Sequence, residues 1–164
     1  MILSKKVVLL GPFGVGKTSL FRRFVDNEFS EDYKVTLGVQ IKKKSISLSD
    51  GRELSMVIWD TEGHSDNVQD TRKSYLLGSH SMVYVFDLSR PETYGTIISD
   101  MEYLKKEYPK VVFKILGNKL DLVNKKEIIQ QLNDHNIPFD ELTSAKADKN
   151  VQDFFNTLAA DLTK

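Results

Sequence analysis

Residues 11–18 read GPFGVGKT, and this stretch decides the fold class of the chain. Its glycine, lysine and threonine positions fit the spacing Gly-x4-Gly-Lys-Ser/Thr of a phosphate-binding loop. Glycine permits the tight backbone turns that direct several N–H groups toward one set of phosphate oxygens. Lys17 adds a cation near the outer phosphates, and the hydroxyl of Thr18 can bind Mg²⁺. The predicted phosphate site consists of Gly14, Val15, Gly16, Lys17, Thr18 and Ser19.

The sequence on both sides of this loop predicts the secondary structure that the loop requires. Residues 2–10 contain an apolar run that is typical of a buried strand. Residues 17–27 then place apolar side chains at helical spacing, and a helix that begins here points its positive end at the phosphates. A chance glycine turn between a strand and a helix is the alternative, but it does not account for the complete motif.

Along the rest of the chain, apolar runs alternate with amphipathic stretches, which is the pattern of an α/β domain. The predicted strands cover residues 2–10, 39–48, 53–60, 82–87, 111–117 and 137–142. The predicted helices cover residues 17–27, a short part of 66–78, 91–108, 125–135 and 150–163. A turn at residues 49–52 predicts one antiparallel strand pair, and helical connections predict parallel pairing elsewhere. The expectation is a single three-layer P-loop domain over residues 1–164, with a six-stranded, mostly parallel sheet and one antiparallel edge strand.

Two helix starts carry capping signals. Residues 89–92 read SRPE, which predicts Ser89 as the N-cap of the helix over 91–108, with Pro91 in its first turn. Asn150 is the predicted N-cap of the last helix.

Composition narrows the class of partners. The 23 basic and 23 acidic side chains give a formal net charge of zero, so nothing favours nucleic acid or an anionic membrane as a partner. The run at 42–44 is interpreted as a charged edge strand that resists pairing with other chains. The chain has no cysteine, which excludes disulfides, thiolate metal sites and cysteine-linked lipid anchors on it. We expect a monomer in a reducing compartment, the cytoplasm.

Four further motifs follow the phosphate loop in order. They are Thr36 with Gly38, WDTEG at 59–63, NKLD at 118–121 and SAK at 144–146. Their order and spacing resemble the Ras superfamily of small GTPases over nearly the whole chain. Residues 22–29 (RRFVDNEF), 59–61 (WDT) and 86–89 (FDLS) resemble the Rab branch most. The resemblance implies a Mg²⁺-dependent switch that binds GTP and GDP and hydrolyses GTP.

The NKLD motif carries a base preference that follows from hydrogen bonding. The Asp121 carboxylate can accept bonds from the N1–H and the 2-amino group of guanine. Adenine lacks this donor pair and would leave the carboxylate unpaired, so the site can discriminate strongly. Asn118 would link the base loop to the phosphate loop. Lys119 would lie over the base. The resemblance adds the Ala145 N–H on the guanine carbonyl oxygen, with Ser144 and Lys146 in support, and Phe29 packed edge-on against the base.

Metal binding and switching are assigned to the residues around the outer phosphate. Asp60 ends a predicted strand, where its carboxylate can hold an Mg²⁺-bound water opposite Thr18. By resemblance, Thr36 is a second direct metal ligand, and the N–H of Gly63 contacts the γ-phosphate together with Lys17. Loss of that phosphate would release Thr36 and Gly63, so two loops would change together.

Three positions depart from the pattern of the family. His64 stands where glutamine usually orients the attacking water, and it is the predicted water-positioning residue. Phe13 replaces a residue that is often small, and its ring should obstruct an arginine finger supplied by another protein. We expect slow intrinsic hydrolysis, with any activating protein using a different geometry. The alternatives are a surface His64 without a role and a Phe13 ring that turns outward. Glu62 replaces a common alanine, and the sequence gives no account of it.

Partners are implied only by the resemblance: an effector, an exchange factor and a GTPase-activating protein. Ile41, Trp59 and Tyr75 align with an apolar effector-binding triad, and ordinary core packing is the alternative. Three other functions remain open: a pseudo-GTPase scaffold that binds nucleotide without turnover, an adenine-nucleotide kinase or ATPase, and an interaction module with an empty loop.

Overall fold

A single six-stranded sheet organises the protein. The structure is a computed structural model that describes residues 2–30, 38–63 and 67–164. Its strands are β1 (Ile2–Leu10), β2 (Val39–Ser47), β3 (Glu53–Thr61), β4 (Ser81–Asp87), β5 (Val112–Asn118) and β6 (Glu141–Leu142). They lie in the order β2-β3-β1-β4-β5-β6, and β2 is antiparallel to β3 while the other pairs are parallel. The predicted fold class is confirmed.

Helices cover both faces of this sheet. They are α1 (Lys17–Asp26), α2 (Lys73–Leu76), α3 (Ile97–Glu107), α4 (Lys125–Asp134) and α5 (Val151–Asp161). Helices α1 and α5 share one core, where the rings of Phe24 and Phe155 stack with centroids 4.1 Å apart. Helices α3 and α4 share the other core, which includes Ile97 and Leu132. All seven residues of β4 are buried, because a central parallel strand has helices on both sides.

The predicted helix over 91–108 is wrong at its start. Residues Pro91–Thr93 form a 3₁₀ turn, and the α-helix begins only at Ile97. Ser89 does not cap it, because the Ser89 hydroxyl donates to Oδ1 of the buried Asp87 at 2.6 Å. The Thr93 hydroxyl accepts from the Asp87 N–H at 2.9 Å. Ser89 and Thr93 are therefore both bonded to Asp87, and the α-helix begins only after this segment.

The last strand and the start of the last helix also differ from the prediction. Strand β6 contains only Glu141–Leu142, rather than the whole of 137–142. Asn150 precedes α5 as predicted, but its backbone is left-handed, with a φ of 62°. Its side-chain amide donates to the Leu142 carbonyl at 2.9 Å instead of capping the helix.

Among the helices of the described residues, none is long and apolar enough to cross a membrane.

The parallel strands bring their carboxyl ends to one edge of the sheet. Leu9 of β1 is paired with Asp60 of β3, and Asp87 of β4 is paired with Asn118 of β5. The loops that follow β1, β3, β4 and β5 therefore meet above this edge. Open α/β sheets bind ligands at such an edge.

Candidate functional site

A cleft of about 420 Å³ lies at the carboxyl edge of the sheet. Its volume is within the roughly 300–1,000 Å³ that is usual for small-molecule sites. The predicted site residues that line it are Gly14, Gly16, Lys17, Thr18, Ser19, Phe29, Gly63, Asn118, Lys119, Asp121, Ala145 and Lys146. Val15, Asp60 and Ser144 are buried beside it. Thr36 and His64 lie outside the described residues.

Close approach between the phosphate loop and the neighbouring strands explains two of the loop glycines. A Cβ at Gly11 would lie 2.2 Å from the carbonyl oxygen of Val85 in β4. A Cβ at Gly16 would lie 2.3 Å from Nδ2 of Asn118, and the backbone there has a φ of 99°. Both positions exclude a side chain for steric reasons, and both have a positive φ that favours glycine.

The base motif and the phosphate loop are joined by two hydrogen bonds. Nδ2 of Asn118 donates to the Val15 carbonyl at 3.1 Å, which is the link expected from the sequence. Nζ of Lys119 donates to the Gly14 carbonyl at 2.7 Å. The stem of Lys119 therefore crosses from the end of β5 to the loop and borders the cleft between them.

Lys17 is a buried cation that is held by the loop itself. Its ammonium donates to the carbonyls of Gly11 at 2.8 Å and Pro12 at 3.1 Å. Burial lowers the pKa of Lys17 to about 8, and the nearby charge of Asp60 offsets part of that effect. Two neutral carbonyls are weak compensation for a desolvated charge. Phosphate oxygens in the cleft would be stronger partners for the same ammonium.

Thr18 and Asp60 bring two oxygen ligands together. The Thr18 hydroxyl donates to Oδ2 of Asp60 at 2.7 Å, and the Asp60 side chain is fully buried at the end of β3. A hydroxyl and a carboxylate are hard oxygen donors of the kind that Mg²⁺ prefers. The pair therefore fits a magnesium site on the phosphate side of the cleft.

Asn118 also organises the loop after β6. Its Oδ1 accepts from the Thr143 hydroxyl at 3.2 Å and from the Ala145 N–H at 3.4 Å. The Ser144 hydroxyl donates to Oδ1 of Asp121 at 2.6 Å, which orients that carboxylate. The two base-contact segments, residues 118–121 and 144–146, are thus joined by direct hydrogen bonds.

Arg23 is a site residue that the sequence reasoning missed. Its Nε donates to the Ala145 carbonyl at 2.7 Å, and its Nη2 donates to the Lys146 carbonyl at 3.1 Å. Helix α1 therefore supports the loop after β6, which contains Ala145 and Lys146. The sequence could have indicated Arg23 by its position four residues after Ser19, because this spacing places both side chains on one face of the helix.

The segment after β3 contacts both the phosphate loop and β2. A Cβ at Gly63 would lie 2.6 Å from Cα and 2.7 Å from the backbone N of Phe13, so only glycine fits there. The Phe13 side chain borders the cleft and is 44% exposed. The Glu62 carboxylate is engaged by the segment before β2, because Oε2 accepts from the Gly38 N–H at 3.3 Å. The start of β2 is thereby tied to β3, which gives Glu62 a structural role.

The sequence model of the Ras family matches residues 6–164. The chain belongs to the Ras family. This family consists of GTP-binding switches that bind GTP or GDP with Mg²⁺ and act through regulators and effectors. The superfamily resemblance of the sequence motifs is therefore confirmed.

In this Ras-family protein, the three residues of the predicted effector triad lie next to one another, and the half-buried Trp59 also packs against the core. Ile41 and Trp59 are directly paired across β2 and β3, and Ile41 is 49% exposed. The rings of Trp59 and Tyr75 have centroids 6.5 Å apart. Nζ of Lys6 lies 3.6 Å above the Trp59 ring, so one face of that ring is covered by a cation.

The close approach at Gly16 generates a prediction about nucleotide binding. Gly16→Ala forces its methyl group against Asn118 Nδ2, so we expect GDP affinity to fall by about 100-fold or more as the link to Val15 breaks. Gly51→Ala is the matched control, because Gly51 also has a positive φ of 84° but meets nothing within 4 Å. The control should lose about 1 kcal/mol of stability through backbone strain and keep its affinity. Titration with a fluorescent GDP analogue measures both variants. Equal affinities in the two variants would contradict the steric argument.

Proposed function

We propose that this Ras-family protein is a Rab-like, Mg²⁺-dependent guanine-nucleotide switch that hydrolyses GTP slowly to GDP and phosphate. The observation that carries the proposal is the pair of bonds from Asn118 and Lys119 to the carbonyls of Val15 and Gly14. These bonds make the base motif and the phosphate loop one unit. A single nucleotide that spans both parts is the ligand that such a unit fits best.

Base selection is assigned to Asp121. Its carboxylate borders the cleft and is oriented by the Ser144 hydroxyl. The backbone N–H of Ala145, on the same loop, is the proposed donor to the guanine carbonyl oxygen. Lys119 would cover one face of the base, and Phe29 would pack at its edge. These roles argue against an adenine-nucleotide kinase or ATPase.

Metal binding is assigned to Thr18 and Thr36 as direct ligands and to Asp60 through a water molecule. When bound, Mg²⁺ would neutralise negative charge on the outer phosphates. Lys17 would leave the carbonyls of Gly11 and Pro12 and donate to the same phosphates. The direction of its pKa shift supports this exchange, because an anionic partner would relieve the cost of its burial.

Slow hydrolysis is assigned to Phe13 and His64. The Phe13 ring at the mouth of the cleft occupies space that an incoming arginine finger would need. His64 is the proposed water-positioning residue, with Lys17 and Gly63 stabilising the γ-phosphate. The same position of Phe13 favours a second candidate, a pseudo-GTPase scaffold that binds nucleotide without significant turnover.

The guanine assignment predicts the outcome of one nearly isosteric exchange. Asp121→Asn replaces an acceptor by an amide donor, so GTP affinity should fall by about 100-fold or more while affinity for xanthosine triphosphate rises. Xanthine carries a carbonyl oxygen where guanine carries its 2-amino group. Competition against a fluorescent GDP analogue provides the measurement, with Asp134→Asn at the exposed end of α4 as the control. Tight ATP binding by the wild type would overturn the assignment.

The hydrolysis assignment predicts faster turnover in one of two variants. We expect Phe13→Gly or His64→Gln to raise the single-turnover rate by about tenfold, because the first removes a bulky ring beside the γ-phosphate site and the second supplies the amide that usually orients the attacking water. Phosphate release is followed after GTP and Mg²⁺ are mixed with nucleotide-free protein. If neither variant changes the rate, Phe13 and His64 do not limit hydrolysis. If no protein releases phosphate above the buffer rate, the scaffold function replaces the switch.

An effector surface at Ile41, Trp59 and Tyr75 predicts a loss of partners in one variant. Trp59→Ala removes the central ring of the patch, so proteins that bind only the GTP-analogue-loaded form should be lost. Ile98→Ala in α3 is the control, because Ile98 is similarly exposed at 47% but lies outside the patch. Affinity capture with GDP-loaded and analogue-loaded protein gives the comparison. Unchanged GTP-dependent capture by Trp59→Ala would rule out the patch.

A further inference from the structure

Asp87 is a buried carboxylate at the carboxyl end of β4, and it lies outside the five nucleotide motifs. Its side chain is fully buried, and Oδ1 accepts from the N–H and the hydroxyl of Ser89 at 2.9 and 2.6 Å. Oδ2 lies 2.9 Å from Nζ of Lys119 and 3.8 Å from Nη1 of Arg90. A buried charge is costly unless it is paired, and two cations compensate this one.

Both cations also donate to the phosphate loop. Nζ of Lys119 bonds the Gly14 carbonyl at 2.7 Å, and Nη1 of Arg90 bonds the Phe13 carbonyl at 3.2 Å. With the bond from Asn118 to Val15, three consecutive loop carbonyls accept from side chains at the end of β5 or just after β4 and β5. Arg90 supplies the first of the three.

Because the peptide group is planar, these carbonyl contacts also determine the direction in which the loop N–H groups point. In a trans peptide the C=O and the following N–H point in opposite directions, and no described peptide bond is cis. The carbonyls of Phe13, Gly14 and Val15 point toward β4 and β5. The N–H groups of Gly14, Val15 and Gly16 therefore point away from those strands, which is the direction a phosphate site requires.

We propose that Arg90, paired with Asp87, is a positioning residue for the outer phosphates. It holds the Phe13 carbonyl and so aims the Gly14 N–H at the nucleotide. Its guanidinium lies on the carbonyl side of that peptide, so Arg90 acts through the loop and does not touch the phosphates. This role rests on the proposed guanine-nucleotide function and adds a residue to it.

The position of the anchored peptide identifies which phosphates depend on it. Phe13 is in contact with Gly63, where a Cβ would lie 2.6 Å from Phe13 Cα. Gly63 is the residue assigned to the γ-phosphate, whereas Asp121 and Ala145 hold the base at the other end. The Phe13–Gly14 peptide therefore serves the outer phosphates, and a nucleotide that lacks them would not require it.

Stability alone does not account for the arrangement of Arg90. Its side chain is 40% exposed and also pairs with Glu92 at 3.1 Å, and exposed ion pairs contribute little to folding. Removing Arg90 should therefore leave the fold intact. Its loss should be visible in phosphate recognition instead.

The test compares Arg90→Ala and Arg90→Lys with the wild type against GMP, GDP and GTP. Nucleotide-free protein with Mg²⁺ is titrated by competition with a fluorescent GDP analogue. Arg90→Ala should lower the affinities for GTP and GDP by about tenfold, because a hydrogen bond from a charged donor is lost. It should change the affinity for GMP by less than twofold. Arg90→Lys should recover most of the loss, because an ammonium can still donate to the Phe13 carbonyl.

Arg52→Ala is the matched control, because Arg52 is similarly exposed at 47% but pairs with Asp50 in the turn between β2 and β3. It should bind all three nucleotides as the wild type does. The positioning role would be overturned if Arg90→Ala lowered the affinities for all three nucleotides equally, or lowered none of them. A wild type that binds no guanine nucleotide would instead overturn the proposed function. The thermal unfolding midpoint of Arg90→Ala should stay within a few degrees of the wild type.

Discussion

The site depends on hydrogen bonds that run from the ends of β4 and β5 to the carbonyls of the phosphate loop. Without them, a loop with three glycines would have many conformations and a large entropic cost of ordering. Asn118 and Lys119 fix two of these carbonyls, so the part of the chain that reads the base also shapes the part that holds phosphate. This coupling explains why Gly16 has no room for a side chain: the loop and Asn118 are in direct contact.

Two buried charged side chains, Lys17 and Asp60, lie beside the same loop. Lys17 is buried against two neutral carbonyls, and its pKa falls to about 8 for that reason. Asp60 is buried next to the Thr18 hydroxyl, on the phosphate side of the cleft. A nucleotide with its metal would bring an anion to the first group and a cation to the second. Burial of the Lys17 ammonium against two neutral carbonyls is costly, and the phosphate oxygens of a nucleotide would relieve that cost.

Prediction from sequence succeeded where a local motif determines a local conformation. The phosphate loop, the strand that precedes it and the order of the motifs were enough to obtain the sheet and the location of the cleft. It failed where a long-range contact competes with a local signal. Ser89 has the sequence context of an N-cap, yet its hydroxyl bonds Asp87, and α3 begins only at Ile97. Asn150 likewise bonds the Leu142 carbonyl instead of its own helix.

The sequence by itself determined the fold class and the phosphate loop, because periodicity and glycine spacing are properties of neighbouring residues. Only the tertiary structure decided which side chains reach the loop from elsewhere. Arg23 reaches Ala145 and Lys146 over more than 120 positions, and Arg90 reaches Phe13 over 77. Glu62 has no partner that the sequence could indicate, since its contact with Gly38 depends on the register of β2 against β3. Such contacts depend on how strands are ordered in the sheet, and no local pattern encodes that order.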